Sequence, residues 1–404
     1  MPCTASEIEL ISPETVSLTA SARLSLTNGE ESWVDGGFGK LATSGDNAGD
    51  FRIIPQLGDI NVIWQPRFGW SLSGTFVAAV QGGERTEWGI EQAFLTFKPK
   101  RSSKHRIAAR LGLLWPAISL EHQGADWHVA DTITPSAINS WVGEEVRPLA
   151  LEVTGSTSAG EHQFSATAAI FAANDTAGTL LSFRGWALHP RTTLAFRRQP
   201  LPPLPVSMEY LQPPFTHPLL DVGPGFAERP GYYLKFAWQP PVPVRVELFR
   251  YDNRADPQAV NEDLEWGWRT KFNQVAAVAE LGGGNVLKAQ AMFGRTRMGM
   301  SEADGIWVDT DFRSAFVLAT HGFAKGGLAA RFEGFETRQD GSLVKAESAE
   351  SGWAATLAGH RDWGPVTGVV ELLHVSSKRP IRSALGGDPR QDQTTVQGEV
   401  RLRW

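Results

Sequence analysis

Charged side chains recur at every second position in several stretches, each with apolar neighbours. "VPVRVEL" sets Arg245 and Glu247 among valines and a leucine. Such residues can set an electric field for passing solutes, provided that water reaches them. Equivalent positions in "RIAARLGLLW", "LAARFEGF" and "EVRLRW" complete a set of candidate lining residues: Arg106, Arg110, Arg245, Glu247, Arg331, Glu333, Arg401 and Arg403.

A second group of charges follows a predicted short helix in "DTITPSAINSWVGEEVRP". Thr134 before Pro135 can cap this helix. Glu144, Glu145 and Arg147 come directly after its apolar residues. Two positions are open for this segment. It can fold inward and narrow a passage, or it can lie on an outer rim with its charges in water.

The inward alternative makes a specific prediction about charge. Glu144 and Glu145 would then oppose arginines on the surrounding wall, especially Arg106 and Arg110. Opposed charges in a narrow passage act at short range, where screening by salt is weak. Such a constriction would orient polar solutes and set a charge preference.

Catalytic motifs are absent from the sequence. There is no G-x-S-x-G turn, no P-loop and no H-E-x-x-H pair. The segment "EHQGADWHVAD" holds two histidines and two aspartates, but their spacing is not that of a tight metal site. We therefore expect no enzyme, no metal site and no cofactor.

Composition excludes several further classes. Among 404 residues, 42% are hydrophobic and 20% charged, which is unlike a disordered chain. The net charge of −6 gives no basic face for a nucleic-acid partner. The single cysteine rules out an internal disulfide. No segment has the length of an apolar membrane helix, and the first ten residues lack the features of a signal peptide.

The elements that would position the charged residues are β-strands. Period-two alternation of apolar and polar residues runs for about nine to eleven residues at a time, the length that a tilted strand needs to cross a bilayer. We count about sixteen such strands. Tryptophans near strand ends are typical of membrane interfaces and comprise Trp70, Trp115, Trp238 and Trp404.

These patterns predict one all-β domain over 1–404, a closed antiparallel transmembrane β-barrel with strands from about 14 to 404 and an N-terminal extension over 1–13. The last strand, 394–404, should pair with residues near 16–26. Long outer loops are expected over 29–50, 116–146, 199–230, 252–264, 294–305, 338–349 and 376–391. The alternative is a soluble all-β protein that binds carbohydrate, since propellers and sandwiches also alternate.

The chain end carries a resemblance. Trp404, preceded by Leu402, Val400 and Val396, resembles the C-terminal assembly signal of Gram-negative outer-membrane barrels. The stretches "EQAFLTFKP" and "RIAARLGLLWP" resemble, more loosely, porins of the phosphate-selective O and P type. The resemblance implies a porin of a bacterial outer membrane that is surrounded by membrane lipid. It also implies recognition by the outer-membrane assembly machinery and assembly as a homotrimer. Small hydrophilic solutes or ions would diffuse passively through it.

Overall fold

Sixteen antiparallel strands close into a barrel in the computed structural model, which describes residues 8–45, 49–82, 86–99, 105–223, 228–384 and 386–404. The barrel strands are, in spatial order, β1 Val16–Thr27, β2 Arg52–Trp64, β3 Leu72–Gln81, β4 Glu87–Phe97, β5 His105–Leu113, β8 Leu149–Ala159, β9 His162–Ala172, β12 Gly231–Gln239, β13 Val244–Asp252, β14 Arg269–Gly282, β15 Asn285–Glu302, β16 Gly305–Phe323, β17 Gly326–Gln339, β18 Glu350–Trp363, β19 Val366–Lys378 and β20 Arg390–Arg403. The predicted fold and strand number are confirmed.

The barrel closes between its first and last strands. In the β1–β20 ladder Ala22 lies opposite Val400, and Thr27 lies opposite Thr395. Trp404 extends this ladder, because its N–H donates to the Leu18 carbonyl at 2.9 Å and its carbonyl accepts from the Leu18 N–H at 3.0 Å. The closure predicted from the C-terminal alternation is therefore confirmed, and the terminal residue is held by backbone hydrogen bonds.

Alternation along each strand separates an apolar outer face from an inner face. In β12 Leu234 and Phe236 point outward and are 50% and 44% exposed. Tyr233, on the same strand, points inward and is 1% exposed. In β17 Phe332 is 62% exposed, and its neighbours Arg331 and Glu333 are buried inside. Trp70, Trp238 and Trp404 are exposed on the outer surface.

Trp115 is a correction to the predicted set of interface tryptophans. It is 2% exposed and lies inside the barrel, where its ring stacks on Trp127 at 4.5 Å. Alternation does not extend to it, because β5 ends at Leu113 and Gly112 has a φ of +140°. The chain turns inward there and takes Trp115 with it.

The two ends of the barrel differ. One end, here the short-turn end, has two-residue connections such as 160–161, 283–284, 324–325 and 364–365, and it also holds Trp404. The opposite end carries the long connections, including 114–148 and 173–230. Strands β15 and β16, of 18 and 19 residues, are the longest and run through the predicted loop 294–305, so that loop prediction is wrong.

Long connections fill much of the barrel interior. Segment 114–148 contains α1 Ala137–Glu145 and the two-residue strands β6 His122–Gln123 and β7 His128–Val129. Segment 173–230 contains α2 Thr179–Phe183, β10 Gln199–Pro200 and β11 Phe215–Thr216, and α3 Ile381–Ala384 follows β19. Short 3-10 helices cover Trp33–Asp35, Val206–Met208 and Ala346–Ser348. None of the described helices has the length and apolar character needed to cross a membrane.

Candidate functional site

Helix α1 lies inside the barrel. All nine of its residues are buried, and Trp141 packs its ring against Phe272 and Phe312 of the inner wall at 5.4 and 5.3 Å. Its N-cap is Ser136, whose hydroxyl accepts from the Asn139 N–H, and not Thr134 as the sequence suggested. The predicted helix and its inward position are confirmed, so the rim alternative does not hold.

Buried charges fix the N-terminal end of α1. Glu333 accepts from the Ala137 N–H at 2.7 Å, and it also pairs with Arg331 at 2.9 Å. Arg331 reaches Glu121 at 2.7 Å and donates to the Thr134 carbonyl at 2.8 Å. Arg331 and Glu333 do point inward as predicted. They are covered by the inner segment, however, and therefore do not face water in this structure.

Glu144 is held at the C-terminal end of α1. Its carboxylate binds the Arg184 guanidinium in a bidentate manner at 2.6 and 2.7 Å and lies 3.0 Å from His189. Burial alone would raise the pKa of Glu144, but the charges of Arg184 and His189 outweigh burial and lower that pKa to about 2.

Glu145 occupies a different environment. It accepts from the Trp141 indole N–H at 2.6 Å and from the N–H groups of Gly178 and Leu180 at 3.0 and 3.1 Å. No cation faces it among these partners, and burial raises its pKa to about 7. Glu145 therefore ties α1 to the start of α2.

The predicted opposition of Glu144 and Glu145 to Arg106 and Arg110 is wrong. Both glutamates are at most 1% exposed and are satisfied by groups of the inner segments. Arg110 instead pairs with Glu152 of the neighbouring strand at 2.7 Å. Alternation assigned Arg106 and Arg110 to the inside of the barrel, but it carried no information on the partners of these arginines or of the two glutamates.

Arg147 is also buried, at 3% exposure. Its guanidinium lies 4.9 Å from the Trp115 ring and donates to the Thr193 carbonyl. Burial lowers its pKa to about 10. Trp127 stacks on Trp115 and, at 3.7 Å, on His122. Arg147 thus closes an aromatic stack that packs segment 114–148 and does not line an open passage.

Arg106 and Arg245 lie at the short-turn end of the interior. They line a groove of ≈ 330 Å³ together with small polar residues such as Ser156. Deeper in the wall, Glu247 pairs with Arg245 at 2.6 Å and with Lys235 at 2.8 Å. These residues match the predicted alternation of charge along the inner wall.

A larger inner cavity of ≈ 390 Å³ lies between strands β1, β2, β4 and β20 and the inner residues 126–130 and 190–192. Arg401 and Arg23 both bind Glu399, with Nε–Oε distances of 2.5 and 2.8 Å. Arg403 lies 3.4 Å from Asp126. Because the cavity also borders Gly364 and Pro365 of a short turn, it reaches the short-turn end. We name it the charged cavity.

The opposite side of the charged cavity is bounded by Asp59, Glu91 and Thr192. The Thr192 hydroxyl donates to Glu91 and accepts from Gln81, both at 2.8 Å. Beyond them, Arg191 donates to the Gly82 carbonyl at 3.0 Å at the long-connection end. This narrow stretch separates the charged cavity from that end.

The sequence prediction identified Arg401 and Arg403 but missed Arg23, Asp59, Glu91 and Glu399. Arg23 and Glu399 carried a detectable signal, since each alternates with apolar residues on a predicted strand. Asp59 and Glu91 lie close to small register shifts in their strands, between Ala20 and Ala22 opposite β2 and between Val77 and Ala78 opposite β4, which disturb a strict period of two.

Comparison with known proteins places the fold. No family model and no curated protein matches the sequence. Among solved structures, similar chains include the outer membrane channel DcaP of Acinetobacter baumannii, with a TM-score of 0.57, 10% identity and coverage of 98% of this chain and 100% of that one. The anion-selective porin of Comamonas acidovorans has a TM-score of 0.54 and 10% identity, with coverage of 96% of this chain and 99% of that one. OmpT, an outer membrane protein of Vibrio cholerae, has a TM-score of 0.50 and 9% identity, with coverage of 98% of this chain and 99% of that one. The chain thus has the fold of outer-membrane porins.

Proposed function

We propose that this protein is a passive channel of a bacterial outer membrane for small hydrophilic solutes or ions. The observation that carries the proposal is a charged cavity enclosed by a barrel whose outer wall is apolar. In a bilayer every backbone polar group needs an internal partner, and a closed barrel supplies one. The likeness to porins agrees with this function without specifying a solute.

The apolar outer wall disfavours the alternative of a soluble carbohydrate-binding protein. Large apolar side chains on neighbouring strands, such as Leu234, Leu248 and Val275, are 50%, 50% and 43% exposed. Leu248 and Val275 lie directly opposite each other in adjacent strands, so the exposed surface is continuous. Exposed apolar surface of this extent calls for a partner, and lipid is the partner that can cover a whole barrel.

The proposed route runs along the β1–β4 side of the interior. It enters by the charged cavity and passes Asp59, Glu91 and Arg191 on the way to the long-connection end. The cavity borders five carboxyl groups, those of Asp59, Glu91, Asp126, Asp362 and Glu399, and three guanidinium groups, those of Arg23, Arg401 and Arg403. We therefore propose a weak preference for cations, in place of phosphate selectivity.

Conductance of single channels in a planar bilayer, with reversal potentials in a salt gradient, tests the proposal. The Asp59→Asn variant should move the selectivity of the channel toward anions, because it removes a carboxylate at the narrow stretch. Glu247→Gln, beside the separate groove, also removes one carboxylate; it is the matched control and should change selectivity less. A protein that stays soluble without detergent and inserts in no bilayer would refute the proposal.

A homotrimer remains a proposal that follows from the looser resemblance to porins, and recognition by the outer-membrane assembly machinery is a proposal that follows from the resemblance of the last strand. Trp404 would belong to the segment that this machinery binds before the barrel closes.

A further inference from the structure

The apolar outer wall ends abruptly in a band of charges on strands β13 to β17. One cross-strand row is apolar or small and consists of Leu248, Val275, Ala291, Ala315 and Gly334. Two residues further toward the long-connection end, the aligned row is Arg250, Asn273, Phe293, Arg313 and Glu336. The next row is Asp252, Lys271, Arg295, Asp311 and Arg338. The change from apolar or small to charged occurs at the first of these rows on β13, β16 and β17, and one row later on β14 and β15.

Cations outnumber carboxylates where these two charged rows form a groove of ≈ 340 Å³. Its walls carry Arg250, Lys271, Arg295, Arg313 and Arg338 but only two carboxylates, Asp311 and Glu336. We name it the basic groove. The side chains of Arg313 and Arg338 are 62% and 65% exposed, so the groove faces the surroundings of the barrel and not its interior.

Arg295 is paired with Asp309 at 2.5 Å and lies 3.4 Å from Asp311, but the other four cations are not matched by the carboxylates around them. Glu336 is shared by Arg313 and Arg338, the latter at 2.5 Å. Arg250 donates to a neutral amide oxygen, that of Asn273, at 3.0 Å. Lys271 is exposed and forms no ion pair with any residue that the structure describes. Several N–H donors around one groove are therefore available to an anion of more than one charge-bearing oxygen, such as a phosphate.

An apolar depression of ≈ 540 Å³ adjoins the basic groove on the side of the apolar wall. It is lined by Ala291, Ala315 and Gly334, whose small side chains leave the wall recessed, and it shares Phe293, Arg313 and Glu336 with the groove. A hydrocarbon chain can lie in such a recess at the level where the wall is apolar. A lipid would use both the basic groove and this recess, whereas free phosphate would use the groove alone.

We infer that the basic groove and its adjoining depression bind one anionic phospholipid, with the phosphate among Lys271, Arg313 and Arg338 and an acyl chain along Ala315 and Gly334. This inference rests on the proposed membrane location of the barrel. Lipid in that position would lie in the leaflet nearest the long-connection end.

Binding of dioleoylphosphatidylglycerol and of dioleoylphosphatidylcholine to the detergent-purified barrel, measured by native mass spectrometry, tests the inference. The parent should retain the anionic lipid preferentially. Lys271→Gln/Arg313→Gln/Arg338→Gln should weaken its retention by about 100-fold, since each basic group near a lipid surface contributes about fivefold. Arg67→Gln/Arg198→Gln/Arg361→Gln removes the same charge elsewhere and should leave retention unchanged.

A second pair of changes separates lipid from free anion. Ala315→Leu/Gly334→Leu fills the depression but keeps every charge, and it should weaken retention of the lipid while leaving binding of inorganic phosphate unaltered. Equal retention of the two lipids by the parent would overturn the inference, and so would equal behaviour of the two triple variants. An unaffected Ala315→Leu/Gly334→Leu variant would assign the groove to free phosphate. Loss of a self-associated form in the Gln variant, without a change in lipid retention, would assign it to a second copy of the chain.

Failure of this inference is distinguishable from failure of the proposed channel function. Single-channel events in a bilayer of neutral lipid should occur for the parent and for the Lys271→Gln/Arg313→Gln/Arg338→Gln variant alike. A parent that conducts but shows no preference for anionic lipid loses only the lipid site. A parent that inserts in no bilayer loses the channel function as well.

Discussion

Replacing Glu144 by glutamine should release helix α1 from its position inside the barrel. The change removes the charge that faces Arg184, whose side chain is 1% exposed and whose two terminal nitrogens both bind Glu144. A buried guanidinium without a carboxylate is strongly unfavourable, and loss of one partner of a buried pair typically costs about 3–5 kcal/mol. The amide of glutamine can still accept one hydrogen bond, so we expect about 3 kcal/mol.

This free energy concerns the docking of an inner segment, because the barrel ladder does not depend on Glu144. A change of about 3 kcal/mol lowers the equilibrium constant for docking by roughly 10²-fold. Hydrogen exchange of the amides in 137–145 should accelerate accordingly, and single-channel events should become larger or more variable. The content of β-structure, followed by far-UV circular dichroism, should stay unchanged.

Two further variants test whether the ion pair of Glu144 and Arg184 holds helix α1 in place. Glu144→Gln/Arg184→Met removes both charges and should recover most of the lost protection, since apolar replacement of a whole buried pair is often close to neutral. Glu161→Gln, at an exposed turn, is the control for loss of one carboxylate. Unchanged exchange in Glu144→Gln would refute the assigned role of the ion pair, as would a double variant less protected than the single one.

Three other outcomes are expected. Val317→Arg, on the outer wall at 49% exposure, should destabilise the barrel in lipid by about 2–4 kcal/mol if it lies near the bilayer midplane. Gln163→Arg, at the inner groove, should be close to neutral. Urea unfolding in vesicles compares the two variants, and equal losses of unfolding free energy would contradict the membrane position of the outer wall. Docking of α1 should be most stable near pH 4.5. The raised pKa of Glu145, about 7, gives docking a stabilising contribution that is complete below pH 4.5 and is lost as the pH rises to 7. The lowered pKa of Glu144, about 2, gives a contribution that is complete above pH 4.5 and is lost as the pH falls toward 2. Amide exchange of 137–145 across pH measures both limbs, and Glu145→Gln should flatten only the neutral one. Deleting Trp404 removes two backbone hydrogen bonds to Leu18 and should lower the yield of heat-resistant folded barrel on electrophoresis. Trp404→Phe keeps these hydrogen bonds and is the control. Equal yields from the deletion and from Trp404→Phe would show that the last residue has no part in closure.

Alternation predicted the barrel because it is a local property of each strand. A period of two assigns Phe332 outward and Arg331 inward whatever lies across the interior. The same period fails at Trp115, where a glycine with positive φ ends the strand. It also fails over 294–305, because outward residues there change from apolar to charged while the strand continues. Strand geometry persisted where the hydrophobic signal stopped.

The partners inside the barrel could not be read in the same way. Glu144 and Arg184 belong to two different connections, and Arg331 meets Glu121 from a distant strand. Each of these residues has several candidate partners of opposite charge in the sequence, and only the packing of the inner segments selects one. The number of strands was accessible from the sequence for this reason, whereas the contents of the interior were not.

The contacts of segment 114–148 also constrain the order in which the chain can reach its final state. This segment follows the fifth strand, but its anchors are Glu333 on β17, Glu371 on β19 and Gln397 on β20, which accept from or donate to residues 133, 134 and 137. These anchors lie on strands β17, β19 and β20, far along the chain from the segment that they hold. Segment 114–148 can therefore complete its docking only once these strands are in the barrel. The path through the protein would be widest in the newly closed barrel and would narrow only afterwards.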